Sequence, residues 1–179
     1  MGKVFQVIGY KNSGKTTLVE ELIQLLIEDG LRVATLKHHG HGGIPLGSTD
    51  SDRFSSAGAI SSIVEGDGVI KLVAQKKNWA LNELVQKQFI LSSPDIILVE
   101  GWKNNEAYGK VVLLRGEADL PLLQLTNVRC AISIEKLELH KTGVPIFNRS
   151  DKKAYQTFIR KYIQESESEI HVSFNKRAD

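Results

Sequence analysis

An α/β fold, built on a mainly parallel sheet flanked by helices and carrying an inserted β-hairpin, is what this 179-residue sequence predicts. Two observations carry the prediction. Between Lys3 and His39 a strand pattern, a helical pattern and a second strand pattern follow one another, the order of a βαβ unit with parallel pairing in one sheet. Further along, short apolar runs recur between turn residues, as buried strands require. The length suits one domain and is too short for two α/β units with separate cores. A single domain over residues 1–165, followed by a polar tail at 166–179, is therefore expected.

The elements follow in chain order. Lys3 to Ile8, "KVFQVI", is β-branched, apolar and short, and it ends in a glycine-rich turn. Thr16 to Asp29 places Leu18, Leu22, Leu25 and Leu26 at helical spacing, with Gly30 as a natural stop. Leu31 to His39 reads as a strand, Gly40 to Gly47 as a glycine-rich loop, and "TDSDRFSSAGA" as the opening of a short helix. "AISSIVEGDGVIKLVAQ" reads as two strands around Gly66-Asp67-Gly68, a hairpin signal. Trp79 to Leu91 is helical, and Ile96 to Val99 is a continuous apolar strand ending at Glu100-Gly101. Strands are expected at Lys110 to Leu114, Arg129 to Ile134 and Val144 to Phe147, and Ser150 or Asp151 caps a last helix through Ile163.

Composition narrows the partners. Apolar residues are 41%, charged residues 25% and the formal net charge is +2, which argues against a strongly electrostatic nucleic-acid or membrane binder. Cys130 is the single cysteine, so neither an internal disulfide framework nor a cysteine-clustered zinc site is available. The apolar stretch at the N-terminus breaks at Gly9, too early for a signal-peptide core, and no run reaches membrane-spanning length. A cytoplasmic location is expected.

Gly9-Tyr10-Lys11-Asn12-Ser13-Gly14-Lys15-Thr16 satisfies G-x-x-x-x-G-K-[ST] at every fixed position, between a strand and a helix. Glycines at this spacing let the backbone curl so that successive N–H groups form an anion nest at a helix N-terminus. Lys15 would reach the β- and γ-phosphates and the Thr16 hydroxyl would ligate Mg²⁺. The predicted fold is thus P-loop NTPase-like. Such a site needs an acid at the carboxyl end of a neighbouring strand. Asp95 and Glu100 bracket one apolar strand and lie roughly 16 Å apart, too far to serve one ion. Glu100 is at the phosphate end, and Asp95 reads as a turn residue.

Other segments leave alternatives open. Lys37-His38-His39-Gly40-His41 ends the second strand, where its imidazoles can contact phosphate or substrate, bind zinc, or simply make the loop polar. Asp50-Ser51-Asp52-Arg53 mixes Mg²⁺ ligands with an anion-binding guanidinium, but such residues also start helices. Trp102 and Lys103 can line the site. The guanine-reading Asn-Lys-x-Asp pattern is absent, so spacing alone does not choose ATP or GTP. No glutamine positioned for water and no arginine finger is identifiable, which predicts weak hydrolysis, and no catalytic residue is assigned. A nucleotide-binding adapter and an ATP-using small-molecule kinase or ligase both fit these residues.

"GYKNSGKTTLVEELI", "VATLKHHGH", "DSDRFSSAGA", "DIILVEGWK" and "VPIFNRSD" together resemble the molybdopterin-guanine dinucleotide biosynthesis protein B (MobB) family, in that family's order. The resemblance spans roughly residues 3 to 160 and is far more specific than the glycine loop alone. It implies an adapter in molybdenum cofactor biosynthesis that binds GTP with Mg²⁺, hydrolyses it feebly and forms a homodimer. It also implies a MobA-like transferase as partner, with molybdopterin or a molybdoenzyme as further partners. Carried over, Gly9, Lys11, Asn12, Ser13, Gly14, Lys15, Thr16 and Thr17 would hold phosphates. Lys37, His38, Arg53 and Lys103 would contact nucleotide or pterin phosphates, and Thr16, Glu100 and Asp50 would hold the metal. This chain departs at Tyr10, where related dimeric P-loop proteins carry a lysine that here stands at Lys11.

Overall fold

The computed structural model of the chain describes residues 2–39, 53–54, 56–137 and 143–166. The elements are β1 (Lys3–Gly9), α1 (Lys15–Glu28), β2 (Val33–Lys37), β3 (Ser61–Gly66), β4 (Val69–Ala74), α2 (Leu81–Ser92), β5 (Ile96–Glu100) and β6 (Lys110–Leu114). They continue with a 3₁₀ helix η1 (Glu117–Gln124), β7 (Val128–Ser133), β8 (Ile146–Asn148) and α3 (Lys152–Glu165). The chain divides into two compact units, Met1–His38 with Leu81–Asp179, and His39–Ala80.

In the first unit six strands run in the order β2-β5-β1-β6-β7-β8, and every neighbouring pair is parallel. The expected parallel sheet is present, with one correction to the βαβ reading. β1 and β2 share the sheet but do not pair, because β5 lies between them. β5 is buried along its length and apolar from Ile96 to Val99, and only a strand hydrogen-bonded on both sides and covered on both faces accommodates that composition.

One face of the sheet is a continuous apolar layer. Phe5, Val7, Leu98, Val111, Leu113 and Ile132 meet Leu18, Leu22 and Leu26 of α1 and Tyr155, Ile159 and Ile163 of α3. Fully burying a side chain of this size is worth about 1.5–3 kcal/mol, so these helices are held by their apolar stripes more than by propensity. Asp151 caps α3 by accepting from Ala154 N at 3.1 Å, one of the two caps expected.

The opposite face is covered in two patches. Leu81 and Val85 of α2 pack on Val4, Ala34, Ile97 and Val99, while Leu122 of η1 packs on Ile8, Val112, Leu114 and Ala131. Between the patches lie two fully buried polar side chains in register, Gln6 and Lys110. Gln6 Nε2 donates to the carbonyl oxygens of Gly101 (2.8 Å) and Trp102 (3.1 Å), and Lys110 Nζ donates to the carbonyl oxygen of Asn105. Both tie down the connection from β5 to β6. Burial lowers the Lys110 pKa below the usual lysine value.

The second unit contains the antiparallel hairpin β3–β4, turning at Asp67 and Gly68 with φ 50° and 77°, as the Gly-Asp-Gly signal predicts. The short helix expected nearby is represented by helical residues 53, 54 and 56. Elsewhere ends shift slightly: α2 begins at Leu81 rather than Trp79, and β8 covers Ile146–Asn148 rather than 144–147. η1 is an element the sequence reading did not assign. Asp95 carries more than a turn: its carboxylate accepts from Arg32 N (2.8 Å), Nε and Nη2 (both 3.2 Å), pinning the start of β5 to the start of β2.

Candidate functional site

The glycine loop leaves β1 at Gly9 and enters α1 at Lys15. A Cβ at position 9 would lie 2.5 Å from Ser13 Oγ and 2.9 Å from Leu113 O, so only glycine fits there. Asn12 and Gly14 take φ of 61° and 86°, left-handed values tolerated best by these two residue types. Gly14 is the N-cap of α1 and no described side chain caps the helix, which leaves first-turn N–H groups available to an anion. Ser13 is buried and its Oγ has no hydrogen-bond partner among the described residues, while Lys11 and Thr17 are exposed on the loop and the first helical turn.

Three predicted residues converge beside this loop. Thr16 Oγ1 donates to Glu100 Oε2 at 3.0 Å, and Lys37 Nζ donates to Thr16 Oγ1 at 3.0 Å while lying 3.1 Å from Glu100 Oε2. A hydroxyl and a carboxylate are hard oxygen donors of the kind Mg²⁺ takes, and the Lys37 ammonium between them acts as a stand-in cation. Thr16 and Glu100 thus fit the metal.

Lys15 Nζ donates to Tyr10 O at 2.6 Å. Burial pushes its pKa below the ordinary lysine value; Glu100 opposes that effect, and Lys37 and Arg115 add to it. An anion in the nest would favour the charged form and reverse the shift.

His38 is held against the end of β5. Its N donates to Glu100 O at 2.9 Å, and its ring lies 4.8 Å from the Trp102 ring at a tilt of 39°. Gly101 makes this approach possible, because a Cβ there would lie 2.8 Å from His38 Cβ. Lys103 is also at the loop, with Nζ 4.9 Å from the centre of the Tyr10 ring. Arg53 belongs to the second unit. Asp50 and His41 lie outside the described residues.

Sequence reasoning missed three residues. Arg115, just past β6, places its guanidinium 5.4 Å from the Tyr10 ring and donates from Nη1 to Lys11 O at 3.4 Å. Buried Asp119 of η1 holds that guanidinium through Nε (2.8 Å) and Nη2 (2.7 Å), and accepts from Arg115 N at 2.9 Å. These bonds hold the Asp119 carboxyl below the usual range. The available signal was an Arg-x-x-x-Asp spacing directly after an apolar strand. Gln6, the third, was the one polar interruption in "KVFQVI".

Comparison with known proteins gives the family. Residues 4–142 match the family described as MobB, molybdopterin guanine dinucleotide synthesis protein B. A Bacillus subtilis protein named as a probable molybdopterin-guanine dinucleotide biosynthesis adapter is 42% identical over 154 residues, covering 83% of this chain and 86% of its own. An adapter protein of the same description from Haemophilus influenzae is 32% identical over 142 residues, 78% of this chain and 79% of its own. The crystal structure of Bacillus subtilis MobB superimposes with a TM-score of 0.79 at 36% identity, covering 92% of this chain and 99% of that one. A MobB homologue from Bacillus stearothermophilus gives 0.74 at 34%, covering 91% and 99%. With the glycine loop, the Thr16–Glu100 pair and this breadth of likeness together, the chain belongs to the molybdopterin guanine dinucleotide synthesis protein B family.

Proposed function

We propose that the chain is a GTP-binding adapter of molybdopterin guanine dinucleotide synthesis, working in the cytoplasm beside the transferase that joins GMP to molybdopterin. Family membership supports the pathway, and the Thr16–Glu100–Lys37 cluster at the uncapped start of α1 supports the nucleotide. In this reading the loop backbone from Gly9 to Thr17 holds the phosphates, Lys15 neutralises the β- and γ-oxygens, and Thr16 and Glu100 hold Mg²⁺. Bound there, Mg²⁺ would offset charge on the phosphates. Lys37, displaced from the metal position, would be left within reach of the terminal phosphate, with His38 and Lys103 at the rim.

Slow hydrolysis fits the state of the arginine beside the loop. Arg115 is engaged by Asp119 and by Lys11 O rather than presented to a leaving group. The homodimer is supported by the hairpin: an isolated two-stranded sheet is marginally stable, and one face of this one exposes Ile63, Ile70 and Leu72. A second copy covering that face would form a closed pair. No described helix is long and apolar enough to cross a membrane.

The test is calorimetric titration with GTP and ATP plus Mg²⁺, followed by turnover on the same sample with and without the transferase. GTP preference, very slow turnover and capture of the transferase are expected. Lys15→Ala should weaken triphosphate binding about ten- to a hundredfold and diphosphate binding much less, the loss of one charge-assisted contact. ATP preference with rapid turnover released by a small acceptor would replace the adapter by a small-molecule kinase.

A further inference from the structure

The proposed site has a direction. Its metal end lies over β5 and β2, where Glu100 and Lys37 meet Thr16. A nucleoside extending from there across the sheet, away from β5 and β2, would lie over the carboxyl ends of β6 and β7. This is where ligands collect in parallel sheets. β7 lies two strand spacings from β1, about 10 Å, the scale of a nucleoside.

The residues at that end form a small platform. Arg115 closes the glycine loop on this side. Ile134 N donates to Leu114 O at 3.1 Å, which fixes the exit of β7 to the end of β6, and Leu137 packs into the apolar patch beneath. The turn is thus anchored on both sides of Glu135. Ile134 is 54% exposed, an apolar side chain beside that carboxylate. The Glu135 carboxylate lies against the backbone of Gly116: a Cβ there would be 2.8 Å from Oε2 and 3.5 Å from Oε1. The glycine is required for space alone, because its φ of 177° is open to any residue.

We infer that Glu135 reads the nucleobase, its two oxygens accepting from N1–H and the 2-amino group of guanine while Ile134 packs on the ring. This deepens the proposed function and rests on its nucleotide reading. The chemistry selects guanine. Adenine offers an acceptor nitrogen and a C–H at the same positions and repels or wastes a carboxylate. Hypoxanthine keeps N1–H but lacks the amine. Xanthine replaces the amine by an oxygen and matches a carboxamide instead.

The experiment titrates GTP, ITP, XTP and ATP, each with Mg²⁺, into the wild-type chain and into Glu135→Gln and Gly116→Ala. Wild type should bind GTP at least about tenfold more tightly than ITP and ATP, the value of a hydrogen bond to a charged group. Glu135→Gln should lose about ten- to a hundredfold for GTP and gain for XTP. Gly116→Ala, which moves the carboxylate without changing charge, should narrow the GTP-to-ATP ratio. A wild type that binds all four alike, or a folded Glu135→Gln with an unchanged GTP-to-XTP ratio, overturns the inference and leaves the phosphate site standing. Binding of none of the four overturns both.

Discussion

At the scale of single residues, the site depends on one shared oxygen pair. Thr16 Oγ1 and Glu100 Oε2 lie 3.0 Å apart with the Lys37 ammonium contacting both. Glu100→Gln keeps the shape and hydrogen bond but removes the charge that would hold a divalent ion. Binding of GTP by this variant should therefore lose most of its Mg²⁺ dependence with the circular dichroism spectrum intact. An unchanged Mg²⁺ response would assign the acid elsewhere. Glu100 was legible because a glycine loop at the end of one parallel strand requires an acid at the same end of its neighbour, and Lys37 because it closes the next strand. Arg115 and Asp119 were not, since their role depends on η1, whose Pro121-interrupted sequence has no helical period.

At the scale of elements, η1 matters as the clamp of the loop. Its buried Asp119 engages Arg115, which in turn bonds the carbonyl of Lys11 and faces the ring of Tyr10. Asp119 has a folded-state pKa below its ordinary value near 3.8, so its contribution to stability is present above that pH and is lost as pH falls through the folded value. Asp119→Asn should cost about 1–3 kcal/mol at pH 7 in urea unfolding and should flatten the decline in stability below about pH 4. A variant as acid-sensitive as the wild type would show that the carboxylate contributes nothing through its charge. Strands and the two long helices were readable from periodicity alone. The order of strands was not, because β1 and β2 each carry an apolar pattern compatible with pairing, and only the fully buried β5 forces its way between them.

At the scale of the whole molecule, the proposed dimer is carried by the hairpin, whose Ile63 and Leu72 are opposite one another in register and 66% and 52% exposed. Placing like charges there, as Ile63→Asp with Leu72→Asp, should convert a dimer into a monomer in light scattering while GTP affinity is retained. A dimer that persists would move its interface to another surface. The hairpin itself was legible from its Gly-Asp-Gly turn. Its exposed faces were not, since alternation of apolar residues predicts burial without saying against what.

The sequence by itself determined the glycine-loop motif, the parallel sheet and the family, because glycine spacing, apolar period and motif order are local properties of the chain. Tertiary structure decided which distant groups complete the site. Lys37, Glu100 and the Arg115–Asp119 pair come from three separate stretches of sequence. They come together at the loop or one step behind it because parallel strands deliver their carboxyl ends to one edge of one sheet.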